Sequence, residues 1–458
     1  MNTGTQVKKF PVLIMATMVS FITPFISAAV NIALPMIGEQ FGMDAMDLGW
    51  VASSFLLAAA AFLVPFGRIA DIYGRKKIFT IGMWLYTASA LGAVFAWNAA
   101  SLILFRALQG LGSAMVFGNA LAILTSVFPP KERGRVIGVS VAAVYLGLSM
   151  GPFLGGLLAH YAGWHSIFLV MVPMGLAVIL MVYRYLPAEW AESKGERFDA
   201  AGSVLYVLGL IFMMYGFSRL PAPGAAGLTA AGFALLVVFV IWEKRVKFPV
   251  LHLDLFWKNT AFAMSNLAAL INYCATFAVG FLLSLYLQYI KGMGPREAGI
   301  VLVAQPVIMA LFSPFAGRLS DRIEPRVVSS IGMALTTAGL GLLTFVREDT
   351  PLWFIIACLV VLGFGFAFFS SPNTNAVMSS VESRQYGVAS GTIGTMRLVG
   401  QMLSMGIAML IFALFVGHAK IGPENHPQFL QSMKLAFGIF AVMCGAGIYA
   451  SLARGKIR

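Results

Sequence analysis

The sequence predicts an all-α integral membrane protein with fourteen transmembrane helices: two six-helix bundles plus two inserted helices. Three observations carry this. Of 458 residues, 59% are hydrophobic and only 11% are charged, whereas soluble domains sit near 45–50% apolar with about 25% charged. The apolar residues fall into fourteen stretches, each on the scale of the roughly 20 residues that cross about 30 Å of hydrocarbon at 1.5 Å per residue. A Gly-Arg-x-x-Asp string also occurs twice, starting at Gly67 and at Gly317.

The stretches are cut where charges, Pro and Gly cluster. The first, 11–33, follows Lys8 and Lys9; it is too long for a leader's apolar core and thirteen more follow, so it reads as a retained helix. Stretches 48–67 and 78–97 flank the loop GRIADIYGRKK, from Gly67 to Lys77. Stretch 101–128 carries Arg106, 136–160 follows the Lys131 to Arg135 segment and is rich in Gly, and 166–187 closes the first group of six. The pair 200–218 and 225–243 comes next and ends at the basic segment Lys244 to Lys247. The second group runs 259–289, 296–316, 327–346, 351–372, 386–416 and 432–453, with GRLSDRIEPR between its second and third members. The string thus holds the same ordinal place in both groups. Domain boundaries follow: a first bundle over 1–190, the inserted pair and inner loop over 191–258, a second bundle over 259–458. Continuous apolar runs without period-2 alternation favour helices over a membrane barrel.

Charge sets the orientation. With the N-terminus inside, inner segments hold 23 of the 31 Lys and Arg, outer loops hold six, and Arg106 and Arg397 fall within helices. Cytoplasmic loops favour Lys and Arg, so both termini are expected in the cytoplasm of a multi-pass protein of the cell (inner or plasma) membrane. The net charge of +13 is spread over short inner segments, which needs no nucleic-acid partner. Cys274, Cys358 and Cys444 are scattered through apolar stretches and form neither a disulfide framework nor a metal motif. No metal or cofactor is expected.

Repeated halves are a hallmark of secondary transporters, with substrate held near the midplane between them. Four blocks sharpen that reading: the first loop (Gly67, Asp71, Gly74, Arg75, Lys76), the fourth-helix run Arg106 to Gly112 with Gln109, the fifth-helix set Gly147, Gly151, Pro152, Gly155 and Gly156, and the first-helix ending Asn31 to Pro35. With the stretch Gly387 to Gly400, these resemble the major facilitator superfamily, and within it the fourteen-helix drug:proton antiporter branch of multidrug efflux type. The resemblance covers essentially the whole chain.

It implies alternating-access export of small amphipathic compounds, coupled to protons, by a monomer in the bilayer. The first loop, with its partial repeat at Gly317 and Asp321, is implied to latch the cytoplasmic side, Asp71 favouring a neighbouring helix N-terminus. The fifth-helix glycines are implied to seal the cavity while the halves rock. Small residues suit both jobs because they let helices approach closely. An ionisable side chain inside a span faces a cavity or a partner, so Arg106 and Gln109, with Arg397 and Gln401, are expected to line one polar cavity and take part in coupling. Candidates for contacting substrate are Asn31, Tyr145, Asn266, Asn272, Tyr273, Gln305 and Asn373, polar groups at span depth that either cross-link helices or touch ligand.

The sequence departs from the branch in one respect. None of its eighteen Asp and Glu falls at the centre of a span, Ile26 stands where the branch often has Asp, and all five His lie at helix ends or in loops. That leaves open a lipid or metabolite carrier of the same fold with weak or no proton coupling. A membrane enzyme would need clustered His, Asp, Glu or Ser at span depth, and a nucleotide-driven pump would need a phosphate-binding loop; neither pattern is present.

Overall fold

The computed structural model describes residues 9–191, 193–251, 254–382, 386–417 and 420–455. Of the residues used in the charge and histidine readings, Lys8, Arg384, Lys456, Arg458, His252 and His418 lie outside the described residues, as do the side chains of Lys131, Arg133 and Arg135. Among the described residues there is no strand, and fourteen helical segments are long and apolar enough to cross a membrane.

The first bundle comprises α1 (Lys9–Phe41), α2 (Ala45–Tyr73), α3 (Arg75–Val94), α4 (Ala99–Val127), α5 (Pro130–Ala162) and α6 (His165–Tyr185). The inserted pair is α7 (Ala200–Arg219) and α8 (Ala225–Glu243), followed by the short α9 (Asp254–Lys258). The second bundle comprises α10 (Thr260–Leu285), α11 (Pro295–Leu302) with α12 (Ala304–Ser320), α13 (Pro325–Leu343), α14 (Leu352–Ser379), α15 (Tyr386–Phe415) and α16 (His426–Ala453).

Local chemistry sets many of these ends. The side chains of Asp44, Asn98, Asp199 and Asn259 accept backbone N–H groups in the first turns of α2, α4, α7 and α10, as capping residues do. Pro130, Pro295 and Pro325 open α5, α11 and α13, where a missing N–H costs nothing. Three departures from the expected stretches stand out. First, α1 continues to Phe41 through Pro24 and Pro35 and packs along α5. The next two are interruptions: a π-helical turn, Tyr286–Ile290, follows α10, and the tenth span breaks at Val303 between α11 and α12.

The two sets of six pack by one plan. In the first, α1 meets α5 and α6, α4 meets α2 and α3, and α3 meets α6; in the second, α10 meets α15 and α16, α14 meets α12 and α13, and α13 meets α16. A shared device underlies one of these contacts. A Cβ on Gly82 or Gly112 would lie within 3.0 Å of the other's carbonyl across α3 and α4, and one on Gly332 or Gly365 within 2.9 Å across α13 and α14. Lipid tails supply no hydrophobic drive between helices, so backbones brought this close gain dispersion contacts instead. The α7–α8 hairpin packs through α7 on both α2 and α15, and so sits against both bundles.

Candidate functional site

A cavity of about 180 Å³ lies at mid-depth between the bundles, lined by α1, α2 and α5 from one and α10 to α12, α14 and α15 from the other. Six polar residues singled out in the sequence reach it: Asn31, Tyr145, Tyr273, Gln305, Arg397 and Gln401. Its apolar wall includes Phe55, Phe277, Met309 and Phe366, and Pro24, Pro152 and Pro306 also line it. Thr23, Ser27 and Thr276 line it too and were missed. Helical spacing was the available signal: Thr23, Ser27 and Asn31 recur every four residues on α1, and Thr276 follows Tyr273 by three.

Other candidates lie elsewhere. Arg106 is 1% exposed and turns away from the cavity: its Nε donates to the Val51 carbonyl at 3.2 Å, Nη1 donates to Gln109 Oε1 at 2.7 Å, and its guanidinium stacks 4.6 Å from the Phe55 ring. Both of those bonds stay within the first bundle, and neither Arg106 nor Gln109 is among the residues that line the cavity reached by Arg397 and Gln401. Asn266 donates to the Phe262 carbonyl on its own helix, and Asn373 donates to the Ser265 carbonyl, linking α14 to α10. Asn272 is fully buried, and neither of its amide atoms has a partner among the described residues. None of the three lines the cavity, and of the three Asn373 is the one whose bond links two helices.

Arg397 is the opposite case. Its guanidinium stacks 4.6 Å from the Phe117 ring of α4 in the facing bundle, and it lines the cavity. Roughly 17 Å of helix separate it from the start of α15. Nearby, the Tyr145 hydroxyl and Ser370 Oγ lie 2.6 Å apart, a hydrogen bond joining the bundles across α5 and α14.

The fifth helix has two working faces. A Cβ on Gly151 would lie 2.6 Å from that of Ala28, and one on Gly155 2.7 Å from Ala29, so α1 and α5 touch through backbone. A Cβ on Gly156 would lie 2.5 Å from the carbonyl oxygen of Pro295, and Gly299 faces the Pro152 carbonyl as closely, so the same helix also meets α11 of the other bundle. Gly147 packs against Phe21 and Pro24 of α1. The α5–α11 contact lies toward the face away from the chain ends. On that side, Ser284 Oγ donates to the Asn31 carbonyl at 2.8 Å and Gln288 Nε2 to that of Ile32 at 3.0 Å.

At the face bearing the chain ends, Arg75 Nε donates to Asp71 at 2.8 Å and its Nη1 to Ser126 Oγ at 3.2 Å, tying α2 and α3 to α4. The carboxylate at the α3 N-terminus is Glu189, which accepts from the backbone N–H of Lys76 and Lys77 at 2.8 and 3.1 Å; Asp71 was expected near such a terminus. Gly74 has φ +119° and would bring a Cβ against Glu189, so glycine is needed there, whereas Gly67 has open space around it. In the repeat, Asn375 donates to Ser320 and to Asp321, and a Cβ on Gly317 would meet Ser371 at 2.8 Å. Both copies therefore tie the second helix of their bundle to the fourth.

A polar junction anchors the inserted pair. Arg68 pairs with Glu196 and donates to Ser193 at 3.1 Å. Asp199 accepts from the Trp242 indole at 3.1 Å, and Glu243 accepts from the backbone N–H groups of Val250 and Leu251. Asp199 and Glu243 are the buried carboxylates among the described residues, and both sit at helix ends.

Comparison with known proteins gives a consistent result. The sequence profile of the Major Facilitator Superfamily matches residues 16–262 and 266–455. The chain is 27% identical over 442 residues to a riboflavin transporter of Clostridioides difficile, covering 96% of both chains. It is 31% identical over 396 residues to the multidrug resistance protein Stp of Mycobacterium tuberculosis, covering 84% of this chain and 73% of that one. A bacterial homologue of the human lysosomal transporter Spinster, solved inward-facing and unoccupied, superposes with a TM-score of 0.66 over 98% of both chains at 17% identity.

Proposed function

The chain belongs to the Major Facilitator Superfamily, and from that premise we propose that it is a secondary active exporter of small amphipathic compounds, working by alternating access as a monomer and coupled to protons. One observation carries the reading: a mid-depth cavity whose polar groups come from both bundles, with Asn31 and Tyr145 on one side and Tyr273, Gln305, Arg397 and Gln401 on the other. A ligand held by both halves is released when they separate on one side. The multidrug resistance protein among its relatives supports export of foreign compounds.

The division of labour follows the helices, with bundles over 1–190 and 259–458 and a connecting unit over 191–258. The face bearing the termini is cytoplasmic, in keeping with the Lys and Arg bias, and the membrane is the cell membrane. The α5–α11 and α1–α10 contacts then close the outer side of the cavity. Helix-end carboxylates such as Asp71 are the groups available to protons.

A second reading is a lipid or metabolite carrier with weak or no proton coupling, favoured by the absence of any Asp or Glu among the described residues that line the cavity; a riboflavin transporter among the relatives supports a metabolite as cargo. Reconstitution into liposomes separates the two. Export of amphipathic dyes that collapses with an imposed pH gradient supports the antiporter; movement indifferent to that gradient supports the carrier.

A further inference from the structure

The transporter reading leaves the charge of its cargo open, and this inference rests on that reading. We propose that the compound carried is a small organic anion with an aromatic body, its carboxylate seated on Arg397. A guanidinium at mid-span is tolerated when it faces a partner or a functional cavity. Arg106 meets that condition through Val51, Gln109 and Phe55. Arg397 has the Phe117 ring on one side and the cavity on the other, and no Asp or Glu is among the described residues that line that cavity. Its five N–H donors suit a carboxylate's two oxygens.

The neighbouring groups favour the same ligand. Tyr273 and Gln401 add hydrogen-bonding groups to the same lining, Gln401 one helical turn from Arg397, while Phe277 and Phe366 supply aromatic surface for an apolar body. A cationic drug would meet uncompensated like charge in this cavity. An anion leaving a cell is also pushed outward by an inside-negative potential, so transport of this ligand requires no titratable carboxylate at mid-span.

The test uses three fluorophores with one dansyl body and short tails of different charge: dansylglycine (anionic), its neutral amide, and dansylethylenediamine (cationic). Binding to the full-length protein in neutral-lipid nanodiscs is read by energy transfer from tryptophan, which keeps anionic headgroups out of the site. Native protein is expected to bind dansylglycine about ten-fold or more tightly than its amide, the gain of a charge-assisted hydrogen-bond pair. Arg397→Gln should erase that preference, so that anion and amide bind alike, with a near-native melting profile reporting that the variant is folded; Arg397→Lys should keep part of the preference. Tighter binding of the cation, no binding of any of the three by native protein, or a carboxylate preference that survives Arg397→Gln would overturn the proposal. Vesicle transport is scored separately. Equal movement of all three compounds defeats this inference and leaves the exporter standing, whereas carboxylate-selective binding with no movement of any compound defeats the exporter reading and, with it, the claim that the bound anion is cargo.

Discussion

Two arginines inside spans show how far one residue type can diverge in role. Arg106 spends its donors on the α2 backbone and on Gln109, so Arg106→Ala opens a cavity and leaves the Val51 carbonyl without that donor. We expect a loss of about 3 kcal/mol, read as a clear drop in thermal midpoint in detergent; an unchanged midpoint would contradict the packing role. Asp71 is different, being partly exposed and bonded to Arg75 at a helix junction. Asp71→Asn should keep expression and melting near native while slowing turnover in vesicles. Native turnover would count against a latch. From sequence, mid-span polarity marked both arginines, but it carried no information about which way each side chain turns. That direction depends on Val51 and Phe55 in one case and Phe117 in the other, partners 51 or more residues away in the chain.

Helices were legible where composition changes sharply and less so where polar residues extend a helix beyond the apolar layer. Glu39 and Gln40 belong to α1 although no hydropathy criterion includes them. The π turn and the break at Val303 lie inside continuous apolar runs, and an apolar pattern has the same appearance with either hydrogen-bond register. The glycines of α5 were readable as sites of close approach, but their two separate partners, α1 and α11, were not. Gly151→Leu tests the first of these. The added side chain would drive into Ala28 and the Phe25 carbonyl, an overpacking cost of about 1–3 kcal/mol. Turnover should stop or proton leak should appear in liposomes, whereas unaltered transport would remove α5 from the sealing mechanism.

At the level of the whole molecule, a repeated string at Gly67 and Gly317 anticipated two halves, and the matched helix pairings give that repeat a three-dimensional form. The cavity needed more. Its lining comes from eight helices, and of the seven candidates for contacting substrate Asn266, Asn272 and Asn373 fall outside it, because depth in the span does not tell which way a polar side chain points. The inserted hairpin rests on α2 and α15 at once and is anchored through Arg68, Asp199 and Glu243, an arrangement written in residues that looked like ordinary loop charges.

The central claim is that the bundles rock as bodies about this cavity, and a wedge tests it without any ligand. Gly156→Val should push α5 from Pro295 on the closed side. Spin labels at Phe95 and Phe345, exposed ends of α3 and α13 on that side, report its opening; labels at Tyr73 and Val327, exposed on the opposite side, report the other end. Electron–electron distance measurements in nanodiscs should show the first pair moving apart and the second moving together in the variant. Widening of the first pair with the second unchanged would mean a local distortion, and would contradict two bundles turning about one centre.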